Sequence, residues 1–273
     1  MGFSIFTLLP VALSFYYSLC EFSTLKPPMY VGLDNYRDLV RDGVFWKSLR
    51  NTLYYASMAI PGGLIVSLGL AMLLNVKMPG RTLFRTVIFI PSLVPVVASA
   101  MLWMWLFNAR LGLLNTVLAK VGIEGPAWIG DPDWAMPSLV LMSFWGVGNT
   151  VVIYLAGLQD VPRELYEAAE IDGAGLWRRI FNVTIPMISP VIFFNLIMAI
   201  IGVVGVLEAP YIMTQGGPAR ATYFISMYVR DAAFMYIKMG YASAMAWMML
   251  LIVLALTALA FWTSKRWVHY QSK

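Results

Sequence analysis

Charge is scarce in this sequence. Of its 273 residues 12% are Asp, Glu, Lys or Arg, against about a quarter in ordinary soluble domains. Hydrophobic residues make up 60% and the mean hydropathy is +0.74. The 19 Lys and Arg and 14 Asp and Glu are too few to clothe a water-soluble surface, which excludes an ordinary globular domain and leaves lipid as the solvent for much of the chain. Cysteine and histidine are rarer still. The single Cys20 excludes an intrachain disulfide framework, and the single His269, in the tail, leaves no His/Cys metal cluster. No Gly-Lys pair occurs, so the chain lacks the loop that cradles nucleotide phosphates, and the Gly-x-Ser-x-Gly nucleophile pattern is absent. No catalytic residue, metal or cofactor is therefore expected.

What is present is long charge-free runs. They cover Met1 to Cys20, Asn51 to Val76, Thr86 to Ala109, Trp134 to Gln159, Ile180 to Leu207 and Met239 to Ser264. A helix needs about 20 apolar residues to cross a hydrocarbon layer of roughly 30 Å, with every backbone amide paired internally. The runs predict an all-α polytopic membrane protein, a single transmembrane domain over 1–273 with six transmembrane helices near 2–20, 52–76, 86–108, 134–158, 186–208 and 240–264. Pro61-Gly62-Gly63, Pro91, Pro95, Gly146 and Gly148 fall inside these runs. Membrane helices tolerate such residues, and close helix packing is the simplest reading of them. The first run has no basic leader and no small-residue cleavage site before Glu21, so it reads as a retained span rather than a secretory signal. Its abrupt start at Met1-Gly2-Phe3 leaves open a short cytosolic leader ahead of it.

With both termini in the cytoplasm, nine Lys and Arg lie inside (Lys77, Arg81, Arg85, Arg163, Arg178, Arg179, Lys265, Arg266, Lys273) and ten outside. The bare count does not decide, but Lys77 to Arg85 and Lys265-Arg266 are basic without a nearby acid, which favours termini inside. The net charge of +5 is a topology signal and does not point to nucleic acid.

Between the fourth and fifth runs lies a hydrophilic segment, 160–186. It reads as two short cytoplasmic helices parted at Gly173, with Pro162 near the start of the first and Glu164 in its opening turn. Ala168 and Ala169 permit close approach, Leu165 and Trp177 suit an apolar groove, and Glu167 with Arg178 and Arg179 suits orientation of a partner. Glu167-Ala168-Ala169, then Gly173, Val183 and Ile185-Pro186 stand at the spacing of the motif Glu-Ala-Ala, three residues, Gly, nine residues, Ile, one residue, Leu-Pro. In this the segment resembles permeases of ATP-binding-cassette importers, departing only by Val183 for Ile and Ile185 for Leu. Val31-Gly32-Leu33-Asp34-Asn35-Tyr36, Phe45-Trp46 through Asn51-Thr52, Arg85 with Pro91, Gly112-Leu113-Leu114-Asn115, Thr214-Gln215-Gly216-Gly217-Pro218 and Gly240-Tyr241-Ala242-Ser243-Ala244 are similar to the carbohydrate branch, that of the maltose and glycerol-phosphate importers.

The resemblance implies a cell-membrane transport subunit for a sugar. Its partners would be two nucleotide-binding ATPase subunits, a second permease, expected as a paralogue in a heterodimer, and an extracytoplasmic solute-binding protein. Glu167, Ala168, Ala169, Asp172, Gly173 and Pro186 would form the ATPase-coupling knob, and Gln215, Gly216, Gly217 and Pro218 the loop that meets the binding protein. Sugars are held by hydroxyl hydrogen bonds and ring stacking. Asn149, Asn195, Glu208, Tyr241 and Ser243 are accordingly the expected substrate-pathway residues, with Trp145 a further stacking surface and interhelical packing the alternative for each amide and hydroxyl. An ion-coupled carrier would want titratable groups in mid-membrane, and an embedded enzyme a charged constellation there; the runs carry neither. A homo-oligomeric six-span channel is the remaining alternative, and it leaves the Glu167 segment without a purpose.

Overall fold

The computed structural model describes residues 2–76 and 78–269. Met1, Lys77 and residues 270–273 lie outside the described residues, and with them two of the basic residues assigned above to the cytoplasmic side, Lys77 and Lys273.

A π-helical turn at Ser4–Leu8 runs into α1 (Leu9–Ser18), which ends in an antiparallel hairpin of β1 (Cys20–Ser23) and β2 (Lys26–Tyr30). An all-α chain was expected, so this hairpin is a correction. It pairs Cys20 with Tyr30, Glu21 with Met29 and Ser23 with Lys26 around a bulge. A two-stranded ribbon is marginal alone, and here it is pinned from outside by the Asn35 amide, which donates to the carbonyls of Ser18 and Cys20 at 2.9 Å each. The Asn35-Tyr36 pair of the motif thus has a structural task, and the Tyr36 hydroxyl lies 2.7 Å from Ser18 Oγ.

Next come α2 (Asp34–Arg41) and the 33-residue α3 (Gly43–Asn75). At 1.5 Å per residue α3 is about 50 Å long, well beyond a hydrocarbon core, so the first two turns of α3 project past the expected span start at 52. Then follow α4 (Arg81–Phe89), α5 (Val96–Leu106), α6 (Leu113–Lys120), α7 (Pro132–Trp145) and α8 (Gly148–Gln159). The hydrophilic segment forms α9 (Arg163–Ile171) and α10 (Leu176–Arg179), leading through a π-helical turn to α11 (Ile185–Met187) and α12 (Ser189–Val203). The chain closes with α13 (Glu208–Thr214), α14 (Ile225–Arg230), a π-helical turn and α15 (Met239–Ser264).

Among the described residues two helices, α3 and α15, are singly long and apolar enough to cross a membrane. Three further runs are broken. The stretch Arg81–Leu93 meets α5 at 100°, α7 meets α8 at 51°, and Leu176–Met187 meets α12 at 67°. Counting each bent pair as one span gives up to five, with Ser4–Ser18 a shorter apolar helix beside them. The breaks fall at helix-breaking residues. Pro95 cannot donate to the preceding turn and holds Val94 extended (φ −74°, ψ 128°). Gly146 ends α7, and Pro186 and Pro190 bracket the kink at Ile188.

Large apolar side chains stand exposed on the outer faces, among them Phe6, Ile65, Leu251 and Trp262, as a chain solvated by lipid requires. Inside are three packed clusters. One joins α3, α5, α7 and α13 around Tyr55, Phe107, Leu139 and Met213. A second, around Leu39, Phe45, Ile225 and Met245, holds α2, α14 and the start of α15 together. The third packs Leu74, Tyr154, Leu158, Val161 and Ile188 where α3, α8 and α12 meet. Packing is close enough to exclude side-chain atoms. A Cβ on Gly148 would lie 2.9 Å from the Ile88 carbonyl oxygen and 3.0 Å from Phe89 Cα, so glycine at the first turn of α8 lets the bent α4 segment pass against it.

Candidate functional site

The α9–α10 segment emerges below the third cluster. Pro162 enters α9 with extended backbone (φ −57°, ψ 133°), and Glu164 occupies its first turn, where a carboxylate meets the positive end of the helix. The helix stops because Gly173 takes φ +71°, a conformation that costs a residue bearing Cβ. Nothing lies within 4 Å of a Cβ placed there, so backbone conformation rather than crowding demands glycine. The reversal is closed by the amide of Ala174 donating to the Ala169 carbonyl (2.8 Å) and that of Gly173 to the Glu170 carbonyl (3.0 Å). Across it Arg179 pairs with Glu170, and Glu167, expected with Arg178 and Arg179 to orient a partner, is exposed. Tyr166 anchors the segment through its hydroxyl, 3.1 Å from Thr184 Oγ1. Glu167, Ala168, Asp172 and Gly173 face outward with Ala169 and Pro186 half-buried. Around them Ile171, Leu176, Trp177 and Phe181 are exposed to 88%, 62%, 71% and 60%, an apolar rim on an otherwise polar knob.

Between α3, α7, α8, α12 and α13 lie two adjoining cavities of about 450 and 350 Å³. Both touch Tyr55, Ser143, Gly146 and Val206. Of the expected pathway residues, Glu208 lines the first and Asn195 the second. Asn195 is 5% exposed and donates to the Val191 carbonyl at 2.9 Å. Trp145 borders the first cavity too. Asn149 is exposed on the opening turn of α8. Tyr241 and Ser243 are not brought to these walls, because α15 packs against α1, α2 and α12. Tyr241 instead lines a separate cavity of about 750 Å³ beside the hairpin, where its hydroxyl donates to Asp42 at 2.7 Å. The further hydroxyl-bearing residues on these walls, which the sequence does not single out, are Tyr55, Ser92, Ser99, Ser143 and Thr150. They are ordinary residues of apolar segments whose common face becomes visible only once the helices are packed.

The Gln215–Pro218 turn follows α13. Gln215 and Gly216 both have positive φ, 50° and 82°. Gly216 is buried, and a Cβ there would come within 2.6 Å of Tyr223 Cδ2, so internal packing demands a glycine at this position. Thr222 Oγ1 donates to the Gly217 carbonyl (2.7 Å), Lys47 Nζ to the Ala219 carbonyl (2.9 Å) and Asn51 Nδ2 to the Arg220 carbonyl (2.8 Å). The Phe45 to Thr52 motif therefore supplies the clamp for this turn. Beyond it Asp231 is held by Arg230 (2.6 Å) and by the Tyr223 hydroxyl (2.6 Å); burial, and then the Asp231 carboxylate, push the Tyr223 phenol well above its ordinary range.

Apolar helices with lipid-facing sides, a polar knob at one end and cavities with almost uncharged walls between the helices define a membrane transport subunit. The chain belongs to the family of binding-protein-dependent transport system inner membrane components, whose pattern matches residues 59–269. It is 38% identical to the probable ABC transporter permease protein YesP of Bacillus subtilis, over all of this chain and 90% of that protein. It is 34% identical to the sulfoquinovosyl glycerol transport system permease protein SmoG of Agrobacterium fabrum, over 93% of this chain and 84% of that one. The fold matches a chain of a bacterial alginate ABC transporter, solved in complex with an alginate pentasaccharide-bound periplasmic protein. That match has a TM-score of 0.83 and 23% identity, covering 97% of this chain and 90% of the other.

Proposed function

We propose that this chain is the membrane-spanning permease of a sugar importer, with six spans, both termini in the cytoplasm, and ATP hydrolysed by a separate subunit. The first apolar helix, α3, the three bent pairs and α15 supply the spans. Support for the orientation comes from the basic residues that converge on the knob's end of the molecule. Arg81 Nε donates to the Leu74 carbonyl at 2.6 Å, Leu74 packs with Leu158 and Ile188, and the His269 amide donates to Ser189 Oγ at 2.8 Å, which brings Lys265 and Arg266 to the same end. A sugar is the expected cargo because SmoG and other relatives, such as the trehalose/maltose permease MalF of Thermococcus litoralis, are carbohydrate-system permeases.

The single observation that carries the reading is the exposed knob at Arg163–Arg179, with the Glu-Ala-Ala run outward and Gly173 fixing the turn. Its apolar rim fits a groove of an ATPase subunit, and closing of two such subunits would tilt two permeases and switch the cavity between the two sides of the membrane. The second permease is taken as a paralogue, and the clamped Gln215–Pro218 turn as the face toward the solute-binding protein. Tagged chain isolated from native membranes and analysed by mass spectrometry tests this. Wild type is expected to carry an ATPase and a second permease, and the double variant Gly173→Pro, Glu167→Arg neither. Recovery of this chain alone in both cases would favour the homo-oligomeric channel.

A further inference from the structure

The two cavities between α3, α7 and α12 have walls of one electrical character. Among all the residues that line them there is no Lys, Arg or His, and one acid, Glu208. The remaining polar groups are neutral: the hydroxyls of Tyr55, Ser92, Ser99, Ser143 and Thr150, the Trp145 indole N–H and the Asn195 amide. Glu208 is exposed in the first turn of α13, and among the described residues it has no ion-pair partner.

A cation on the wall is what a carboxylate, sulfonate or phosphate group on a sugar would need to replace its lost hydration, since an anion entering a poorly solvated passage without a partner charge is strongly disfavoured. A lone negative charge between low-dielectric walls has the opposite effect. It raises the local concentration of cations, repels anions, and leaves neutral solutes unaffected. Hydroxyl groups are served by the groups present, because an ionised carboxylate accepts hydrogen bonds from O–H donors strongly and the wall hydroxyls both donate and accept.

We infer that the share of the pathway contributed by this chain is selective against anionic solutes, and that the sugar it passes is uncharged, with Glu208 as the group that sets the discrimination. This rests on the reading of the cavities as the translocation path. It narrows the substrate class to neutral saccharides and sets aside uronic acids, sugar sulfonates and sugar phosphates.

The field on the wall is measurable without knowing the sugar. In the full complex in native membranes, with Cys20→Ser to remove the buried native thiol, Ser143→Cys places a thiol on the wall common to both cavities. Its rates of modification are compared for three methanethiosulfonate reagents that carry a trimethylammonium, a sulfonate or a neutral ethyl group. Adding Glu208→Gln is expected to lower the ratio of the cationic to the anionic rate roughly tenfold with the neutral rate unchanged, while Glu208→Asp keeps the ratio. An identical ratio with and without the carboxylate overturns the inference and leaves the pathway reading standing. Failure of all three reagents, the neutral one included, to reach the Ser143→Cys thiol overturns both.

Discussion

The Tyr241 hydroxyl, near the start of α15, donates a 2.7 Å hydrogen bond to the Asp42 carboxylate, 199 positions earlier in the chain. Tyr228 donates to the same oxygen, and the other oxygen caps α3 by accepting from the Val44 amide at 2.8 Å. One carboxylate thereby ties α3, α14 and α15 at the end of the molecule that carries the hairpin.

Burial alone raises the Asp42 carboxyl, but the bonds from Tyr228, Tyr241 and the amides of Val44 and Phe45 favour the anion more, and its pKa falls below the ordinary 3.8. A depressed folded-state pKa stabilises the fold above the unfolded value and ceases to do so as pH falls through the folded one. Asp42→Ala, which removes cap and charge together, is expected to cost roughly 2 kcal/mol. Asp42→Asn keeps the cap and is expected to cost less. Thermal unfolding of the detergent-solubilised protein should show a constant gap between wild type and Asp42→Asn from about pH 8 to about pH 5, narrowing below the ordinary carboxyl pKa. A gap that widens in acid would contradict the assignment.

Gly173 allows a backbone test of the knob. Its φ of +71° is accessible to Asn at small cost and to Ala at roughly 1 kcal/mol, while no neighbour obstructs either side chain. ATP hydrolysis stimulated by loaded binding protein is expected to fall in the order wild type, Gly173→Asn, Gly173→Ala, with the basal rate of the ATPase following no such order. Equal stimulation in all three would detach the turn from coupling.

The exposed rim makes a separate prediction about assembly. Trp177 and Phe181 stack with centroids 6.3 Å apart, and Trp177 is 71% exposed, a poor arrangement for a side chain with no partner. Aromatic anchors buried at interface centres typically contribute 2 kcal/mol or more. Trp177→Ala is therefore expected to weaken ATPase association about thirtyfold, read as the detergent-stable fraction of complex on size exclusion, without lowering the amount of the chain in the membrane.

Much of this architecture was legible because lipid leaves a coarse imprint on sequence. Charge-free runs marked the apolar helices, and Pro162, Glu164 and Gly173 marked both ends of α9. What was not legible came from places where one residue serves two distant elements. The hairpin at Cys20–Tyr30 lacks a strand pattern and exists because Asn35 holds its carbonyls. The bends at Val94, Gly146 and Ile188 turn single apolar runs into pairs of short helices, since Pro and Gly interrupt backbone pairing that hydropathy does not register. The cavities were half legible. Glu208 and Asn195 stood out as polar residues beside and within an apolar run, but Tyr241, read as a stacking surface, belongs to the Asp42 cluster, a distinction that only packing against α2 and α14 decides.

The Gln215–Pro218 turn offers a last test, in which shape and chemistry separate. Gly216 is held at φ +82° with Tyr223 where a Cβ would stand, and Lys47 and Asn51 clamp the carbonyls that follow. The turn is thus preorganised, and preorganisation reduces the ordering cost of association. Gly216→Ala must push Tyr223, and with it the Asp231 contact, so it is expected to destabilise the fold by roughly 1 to 3 kcal/mol and to weaken binding-protein docking. Lys47→Met leaves backbone and packing intact and releases only the clamp at Ala219, so its effect should be confined to docking. A binding protein titrated against the complex in nanodiscs is expected to dissociate several-fold faster from Lys47→Met while the melting temperature barely moves. If docking is unchanged in Lys47→Met and lost only in Gly216→Ala in proportion to its lost stability, the turn is a structural element and the binding protein meets another surface.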